Sequence, residues 1–527
     1  MTRATSKIRF HGLGISLVPL IASLMASVQV QRPPVHPGEG SPLTVALSAK
    51  TGEMEIELRF PATDSGNAPI AQLSLAKSLS KPALEALSPA DYANPPAGVE
   101  VFALAPTDTS YVDMAVSEAV DLHYRLLACD GGPTCAQSKV VTSRAGPVVV
   151  SFAFGPVQTL FDAPPQGCTT TSGFDVSDVP ARAVRRSNGS ILLICGNSRG
   201  NFYDEGPNFN ALTRNCTTPA PMNSNFRNDP SLFDYQRWVF ATYRDPTTAH
   251  PDRIYALLHQ EYHDTIHPPC DGAGVQCSYA FIGYGMSDDG GAHYTEPPVP
   301  TRVVAALPYP WDWTLGSMPN RPPHAHGYYL SSNIVKPGDG YYYAFVYGIL
   351  DPLHAADTTI TSLGRTANLE DPQGWRYWDG AGFGHQTREP YINGVTYAVA
   401  VADPAQYFCT EVDPHLRGLG GSVTYNTYLQ KWMMVGAMGL LPEVPCGFYY
   451  AVSNDLIHWS IPRLFRPGNL YSCDEVAPED TYPSIIDHDD TSVNFEFADD
   501  TFYLYYVRYL TSTDRDQVRM PTTITHH

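Results

Sequence analysis

A carboxylate between two imidazoles is the densest chemistry the chain offers. It lies in RIYALLHQEYHDTIH, Arg253 to His267, where an apolar run gives way to ionisable groups. Ile254 to Leu258 is apolar and β-prone, which predicts a partly buried strand. Alternate side chains of a strand share a face, so His259, Glu261 and His263 point one way, with Gln260 and Tyr262 the other. A helix would keep His259 beside His263 but turn Glu261 away. The second candidate carboxylate is Asp178, in DVPARAV, with Arg182 four residues on and on the same face of an extended strand. A guanidinium there predicts an ionised Asp178, suited to a general base or a nucleophile. Glu261 is its expected complement: with a pKa raised by burial, it would donate a proton to a departing oxygen. The plain alternatives are a structural ion pair for Glu261 and a turn or strand-start carboxylate for Asp178.

Other polar residues are expected to orient a substrate rather than to react. Arg182, His259, His263, His326, Ser332, Asn333, Glu411 and Tyr482 form this set. Glu411, in the loop FCTEVDPHLRG, is also the reserve acid. His324 and His326 are expected at the same mouth, with Trp311 and Trp313 available to stack on an apolar ring face. The H-x-E-x-H alternation also admits a divalent metal, with His324 or His326 completing the shell, although it is not the helical H-E-x-x-H motif.

These residues need a large scaffold. Met1 to about Ala26 has a basic start, an apolar centre broken by Pro19 and small residues near its end, the pattern of a signal peptide. Its removal leaves about 500 residues, more than one ordinary core and consistent with two domains. No later segment is apolar for long enough to cross a bilayer as a helix, so a secreted or periplasmic location is expected, without stable membrane insertion. A net charge of −20 argues against a nucleic-acid partner, which would need a basic surface. Ten cysteines in an exported chain are compatible with disulfides, the close pairs Cys129 with Cys135 and Cys270 with Cys277 above all.

Residues 27–41 read as a linker. From 42 to 147, short alternating strands (LTVALSAK, MEIELRF, GVEVFALAP, LHYRLLACDG, SKVVTSRAG) predict an all-β sandwich. The strand around Tyr124, the turn at Asp130 to Pro133 and the returning strand resemble the last hairpin of fibronectin type III modules.

Beyond Pro156, aromatic strands alternate with long polar loops. A loose repeat recurs in YAFIGYGMSDDGGAHY, GRTANLEDPQGWRYW and GFYYAVSNDLIHWS, with spacings that suit propeller blades carrying insertions. Five blade starts follow: DVPARAV, WVFATYRD with RIYALLHQEYH, YLSSNIV, GSVTYN with WMMVGAM, and TYPSIID with TFYLYYVRY. A strand near Val157 to Phe161 is placed to close the ring, and 511–527 is read as a tail. With these motifs in order, residues 156–510 resemble five-bladed β-propeller glycosidases of the arabinanase and xylosidase type. That resemblance implies an exported glycoside hydrolase acting on a poly- or oligosaccharide by paired carboxylates, Asp178 and Glu261, with no required cofactor. A third acid on a later blade is not evident, which keeps a noncatalytic glycan-binding propeller open beside a metal-assisted lyase or hydrolase. SDDGGAHY has the flavour of a sialidase Asp-box, but a single copy without a recognisable arginine triad does not carry that reading.

Overall fold

The computed structural model describes residues 43, 45–60, 70–130, 134–169, 175–216, 219–267, 270, 277–316, 325–354, 358–438, 444–470, 473 and 478–527. The expected signal segment, the linker, most of the turn at Asp130 to Pro133, and His324 lie outside these residues. Strands dominate throughout, as the alternating patterns predict, and the helices are single short turns. The chain divides into two compact units. Among the described residues, the first holds those up to 50, 57–112 and 121–143; the second holds those of 51–56, 113–120 and 144–527.

In the first unit, Leu122–Cys129 and Gln72–Ser78 pair antiparallel, flanked by Val99–Leu104, Cys135–Gln137 and Val141–Ser143. Leu75 sits opposite both Phe102 and Leu126. Cross-strand apolar pairs of this kind are what fix a register. The strands Ser48–Gly52, Glu55–Arg59 and Ser110–Asp113 form a separate sheet. The predicted boundary at 147 needs correcting, because residues 113–120 and 144–147 belong with the second unit. There the buried Glu118 holds Arg463 at 2.5 Å.

The second unit is a succession of antiparallel meanders. Arg182–Arg185, Ile191–Ile194, Tyr203–Gly206 and Thr213–Asn215 pair in chain order. Gln236–Arg244, Ile254–His263, Ser278–Ser287 and Val303–Ala305 do the same. A short parallel contact of Tyr279 and Ala280 with His326 and Gly327 joins this sheet to His326–Ser331, Tyr342–Ile349, Thr359–Thr366 and Arg376–Tyr377. Then come Gly420–Asn426, Lys431–Met438, Gly447–Ser453 and Arg463–Pro467. The last sheet runs Glu479–Ile486, Thr501–Thr511, Asp514–His526 and, from far upstream, Gln158–Phe161. The expected tail is therefore wrong: Asp514–His526 is a 13-residue strand with partners on both sides. The upstream strand covers an edge that would otherwise expose unpaired amides.

The first strands of these meanders converge. Residues 487–497 reach three of them, and the segment that follows a fourth, at one end: Val493 O accepts from Arg185 N at 2.7 Å, Asn494 Oδ1 from Arg244 N at 2.8 Å, and Glu496 accepts from Lys336 N and Tyr425 N at 2.9 Å each. That end is capped by a single loop. The repeated turns also have a shared cause. Ser287 and Ser453 hydroxyls accept backbone N–H groups after the third strand, while Asp289 and Asp455 accept from His293 N and His458 N at 2.9 Å. Side chains of this type replace ladder bonds where a strand must stop.

Disulfides join Cys129 to Cys135 and Cys270 to Cys277, and also Cys168 to Cys216 and Cys446 to Cys473, two pairs the spacing left open. Cys195 and Cys409 are buried thiols. No helix among the described residues is long and apolar enough to cross a membrane.

Candidate functional site

Ile254–His263 is a strand over its whole length, so its alternation operates as predicted. Glu261 lies between its two neighbours on one face: Oε1 meets His259 Nε2 at 2.9 Å and Oε2 meets His263 Nε2 at 2.6 Å. The partner strand supplies Trp238, opposite His259, with the two rings 5.1 Å apart. The Trp238 indole Nε1–H then donates to Asp178 Oδ2 at 3.1 Å. A continuous chain of contacts thus runs Asp178, Trp238, His259, Glu261, His263. Asp178 Oδ1 accepts from Tyr509 OH at 2.8 Å and from Arg515 Nη1.

Both carboxylates are largely enclosed, with side chains 18% exposed for Asp178 and 16% for Glu261, yet their environments push them apart. Burial raises the Asp178 pKa above the usual carboxylate range, against the pull of Arg515, Tyr509 and Trp238, and the charge of Glu261 adds to the rise. Burial would raise Glu261 too, but the two imidazole hydrogen bonds and their charge outweigh it and hold the group below its ordinary value. The expectation is inverted: Asp178 keeps its proton more readily, and Glu261 stays ionised. Two carboxyls driven in opposite directions are the arrangement that acid and base assignments require.

The chain of contacts abuts a cavity of about 160 Å³. Its lining comes from or beside the first strand of every meander: Pro180, Phe240, Leu330, Ser331, Gly421 and Tyr482 contribute, among others, and no carboxylate does. Phe240 links wall to cluster, its ring 5.8 Å from His259 and 6.2 Å from Tyr482. Tyr482 adopts φ +55° at an irregularity in the pairing of Glu479–Ile486. A bulky residue in the left-handed region is costly and concentrates at functional sites. Burial, then the charge on Asp178, raises its phenol pKa.

No protein-family model matches the chain, and no curated protein matches it. Among solved structures, a putative exo-β-1,3-galactanase from Bifidobacterium bifidum is 13% identical with a TM-score of 0.34, the match covering 68% of this chain and 94% of that one. An α-L-arabinanase mutant from Cellvibrio cellulosa is 10% identical at a TM-score of 0.35, covering 66% and 91%. A β-fructofuranosidase from Bombyx mori is 9% identical at 0.33, covering 65% and 60%.

Several predicted partners lie elsewhere. Arg182 does not hold Asp178. Its Nη1 donates to Ser422 Oγ at 2.6 Å and to Ala181 O, and the guanidinium that pairs with Asp178 is Arg515, on the strand mistaken for a tail. Without a carboxylate beside it, burial lowers the Arg182 pKa to about 9. Asn333 bonds both backbone groups of Val423, and Ser332 bonds Phe345 N and Asn333 O, so both fasten neighbouring strands. His326 is buried in an aromatic core, with Tyr279, Tyr309 and Trp311 rings within 6.1 Å. Trp311 donates to Asp264, and Trp313 stacks on His267 at 5.2 Å, so both indoles serve as packing anchors. Glu411 is half-buried, and burial pushes its pKa up to about 7.

The metal alternative needs His259 and His263 to turn outward, but both Nε2 atoms are committed to Glu261. Among the described residues, no three His, Cys, Asp or Glu side chains are arranged to hold a metal ion. Tyr509 and Arg515 were invisible as site residues because they lie more than 300 residues from Asp178. Trp238 had a faint signal, since it falls in the strand WVFATYRD that precedes the ionisable cluster.

Proposed function

We propose that the second unit is a five-bladed β-propeller and that this exported protein hydrolyses a glycosidic bond at the open end of its axis. The five successive meanders, the converging first strands and the late strand paired with Gln158–Phe161 support the architecture. In the first unit, the antiparallel sheet with Gln72–Ser78 and Leu122–Cys129 internal supports a fibronectin type III-like module. Four disulfides fit an oxidising compartment.

One observation carries the chemistry: two carboxyls with oppositely displaced pKa values share a continuous contact chain beside a cavity. Asp178 is the acid. Its Oδ2, accepting a single bond from Trp238, retains a position for the proton passed to the glycosidic oxygen as the C–O bond breaks. Glu261 is the complementary base. An ionised carboxylate has about four lone-pair sites, so two remain after His259 and His263 to accept a proton from the attacking water. The cavity of about 160 Å³ supplies the concave surface this reading needs beside the contact chain. The absence of carboxylates from its described lining favours the second reading, a noncatalytic glycan-binding propeller.

A glycan-panel turnover assay on wild type, Asp178→Asn and Glu261→Gln, each verified as folded, separates them. Loss of about 10²- to 10⁴-fold in each variant is the expected acid–base effect. Tight binding without product assigns the protein to the binding class.

A further inference from the structure

The strand Gln236–Arg244 has a second chemical face. Trp238 turns toward Asp178, whereas Arg237 turns the other way and donates from Nη1 to Glu296 and from Nη2 to Asn223 O. Glu296 also accepts from Gln260 Nε2 at 2.6 Å and from Arg302 Nη1 at 3.4 Å. Arg227 pairs with Asp234, which Asn225 Nδ2 reaches at 2.8 Å. The three arginines, Glu296, Asp234, Asn223 and Asn225 line a cavity of about 450 Å³, within the size range of small-ligand sites.

The charges in that lining do not balance. Three guanidinium groups meet two carboxylates, Asp234 and Glu296, which leaves one positive charge in a chain of net charge −20. The Nε atoms of Arg237 and Arg302 are buried with no hydrogen-bond partner among the described residues. Burial lowers the Arg302 pKa, and Arg237 and Arg227 add to the fall against the pull of Glu296, so like-charge repulsion persists across the site. Glu296, itself buried, fixes two of the arginines before any ligand arrives. Prearranged guanidinium forks of this kind match a carboxylate.

We propose that this cavity binds a carboxylate-bearing sugar, a uronic acid unit of a glycan. Arg227, Arg237 and Arg302 would receive the carboxylate, with Asn223, Asn225 and Thr295 facing the ring hydroxyls. A single excess charge matches a monoanion better than a phosphate dianion. The sugar part rests on the carbohydrate reading above; the preference for a monoanion does not.

Titration calorimetry on the full chain tests this with methyl galacturonoside, methyl galactoside, acetate and inorganic phosphate as probes. Binding of the uronoside at least tenfold tighter than the other three is expected, weakening as salt rises. Arg227→Gln, at the half-exposed edge of the site, should lose about tenfold in uronoside affinity. Arg302→Gln should do the same and serves as the second variant. Binding no tighter than the galactoside, or unchanged affinity in both variants, would overturn the site. Acetate binding as tightly as the uronoside would overturn the sugar assignment, and tighter phosphate binding would overturn the monoanion. Because binding is read directly, these outcomes stand whether or not Asp178 and Glu261 prove catalytic.

Discussion

The two faces of one strand pair, Gln236–Arg244 against Ile254–His263, use charge in opposite ways. On the face with Trp238 and His259, the charges are enclosed and individually partnered: Glu261 by two imidazoles, Asp178 by a guanidinium, a phenol and an indole. On the face with Arg237 and Gln260, the charges line an open 450 Å³ cavity and are left one short of balance. Partnering in a dry setting separates pKa values and suits proton transfer. An unbalanced, prearranged lining suits recognition. Strand alternation sends the adjacent Arg237 and Trp238 to the two faces, and distant segments supply the remaining charges on each.

The sharpest way to break this contrast is to exchange the two arginines that compete for Asp178. Arg515→Met should cost about 1.5–3 kcal/mol in denaturant unfolding, because it removes a charge-assisted donor from the buried Asp178 carboxyl. The same change at Arg182 removes a buried guanidinium that has no carboxylate partner, so relief of its burial offsets the lost hydrogen bonds to Ser422 and Ala181 and the change should be near neutral. A loss at Arg182 as large as that at Arg515 would remove the distinction, and a larger one would mean that Arg182 supports the acid.

A smaller effect comes from pH. Glu261 has a lowered folded pKa, so its contribution is present above the unfolded value and is lost as pH falls through the folded one. Glu411 has the opposite sign. Raised to about 7 from an unfolded value of about 4.3, it favours the folded state at low pH and loses that contribution as pH rises through this window. Melting temperatures should therefore show Glu411→Gln gaining on wild type between those limits, and Glu261→Gln removing part of the loss on the acid side. The smallest change is Trp238→Phe. It keeps a ring beside His259 but deletes one donor to Asp178, at about 1 kcal/mol in a double-mutant cycle with Asp178→Asn.

Much of this scaffold was legible in the sequence because strand alternation is local. The face shared by His259, Glu261 and His263, the first-strand motifs and the closing strand near Val157 all follow from patterns within ten residues. The partner of Asp178 was not legible, since spacing favoured Arg182 while register between distant strands delivers Arg515. Asp514–His526 was mistaken for a tail because its charged start, DRDQ, hides a strand buried from Asp516 to Met520. His326 was misjudged for a different reason: a histidine at the start of a strand looks exposed until Tyr279, Tyr309 and Trp311 are folded over it. The three arginines of the second cavity lie at 227, 237 and 302, on the loop before Gln236–Arg244, on that strand itself and at a backbone contact with Tyr284, so no local pattern joins them.

The most direct measurement compares two leaving groups. For Asp178→Asn, kcat/KM should fall about 10²-fold or more on an alkyl glycoside, whose departing oxygen needs a proton, and far less on a dinitrophenyl glycoside, which leaves without one. Glu261→Gln should depress both substrates alike. Equal losses on both substrates for Asp178→Asn, or full activity in either variant, would contradict the assignment of Asp178 as acid and Glu261 as its ionised partner.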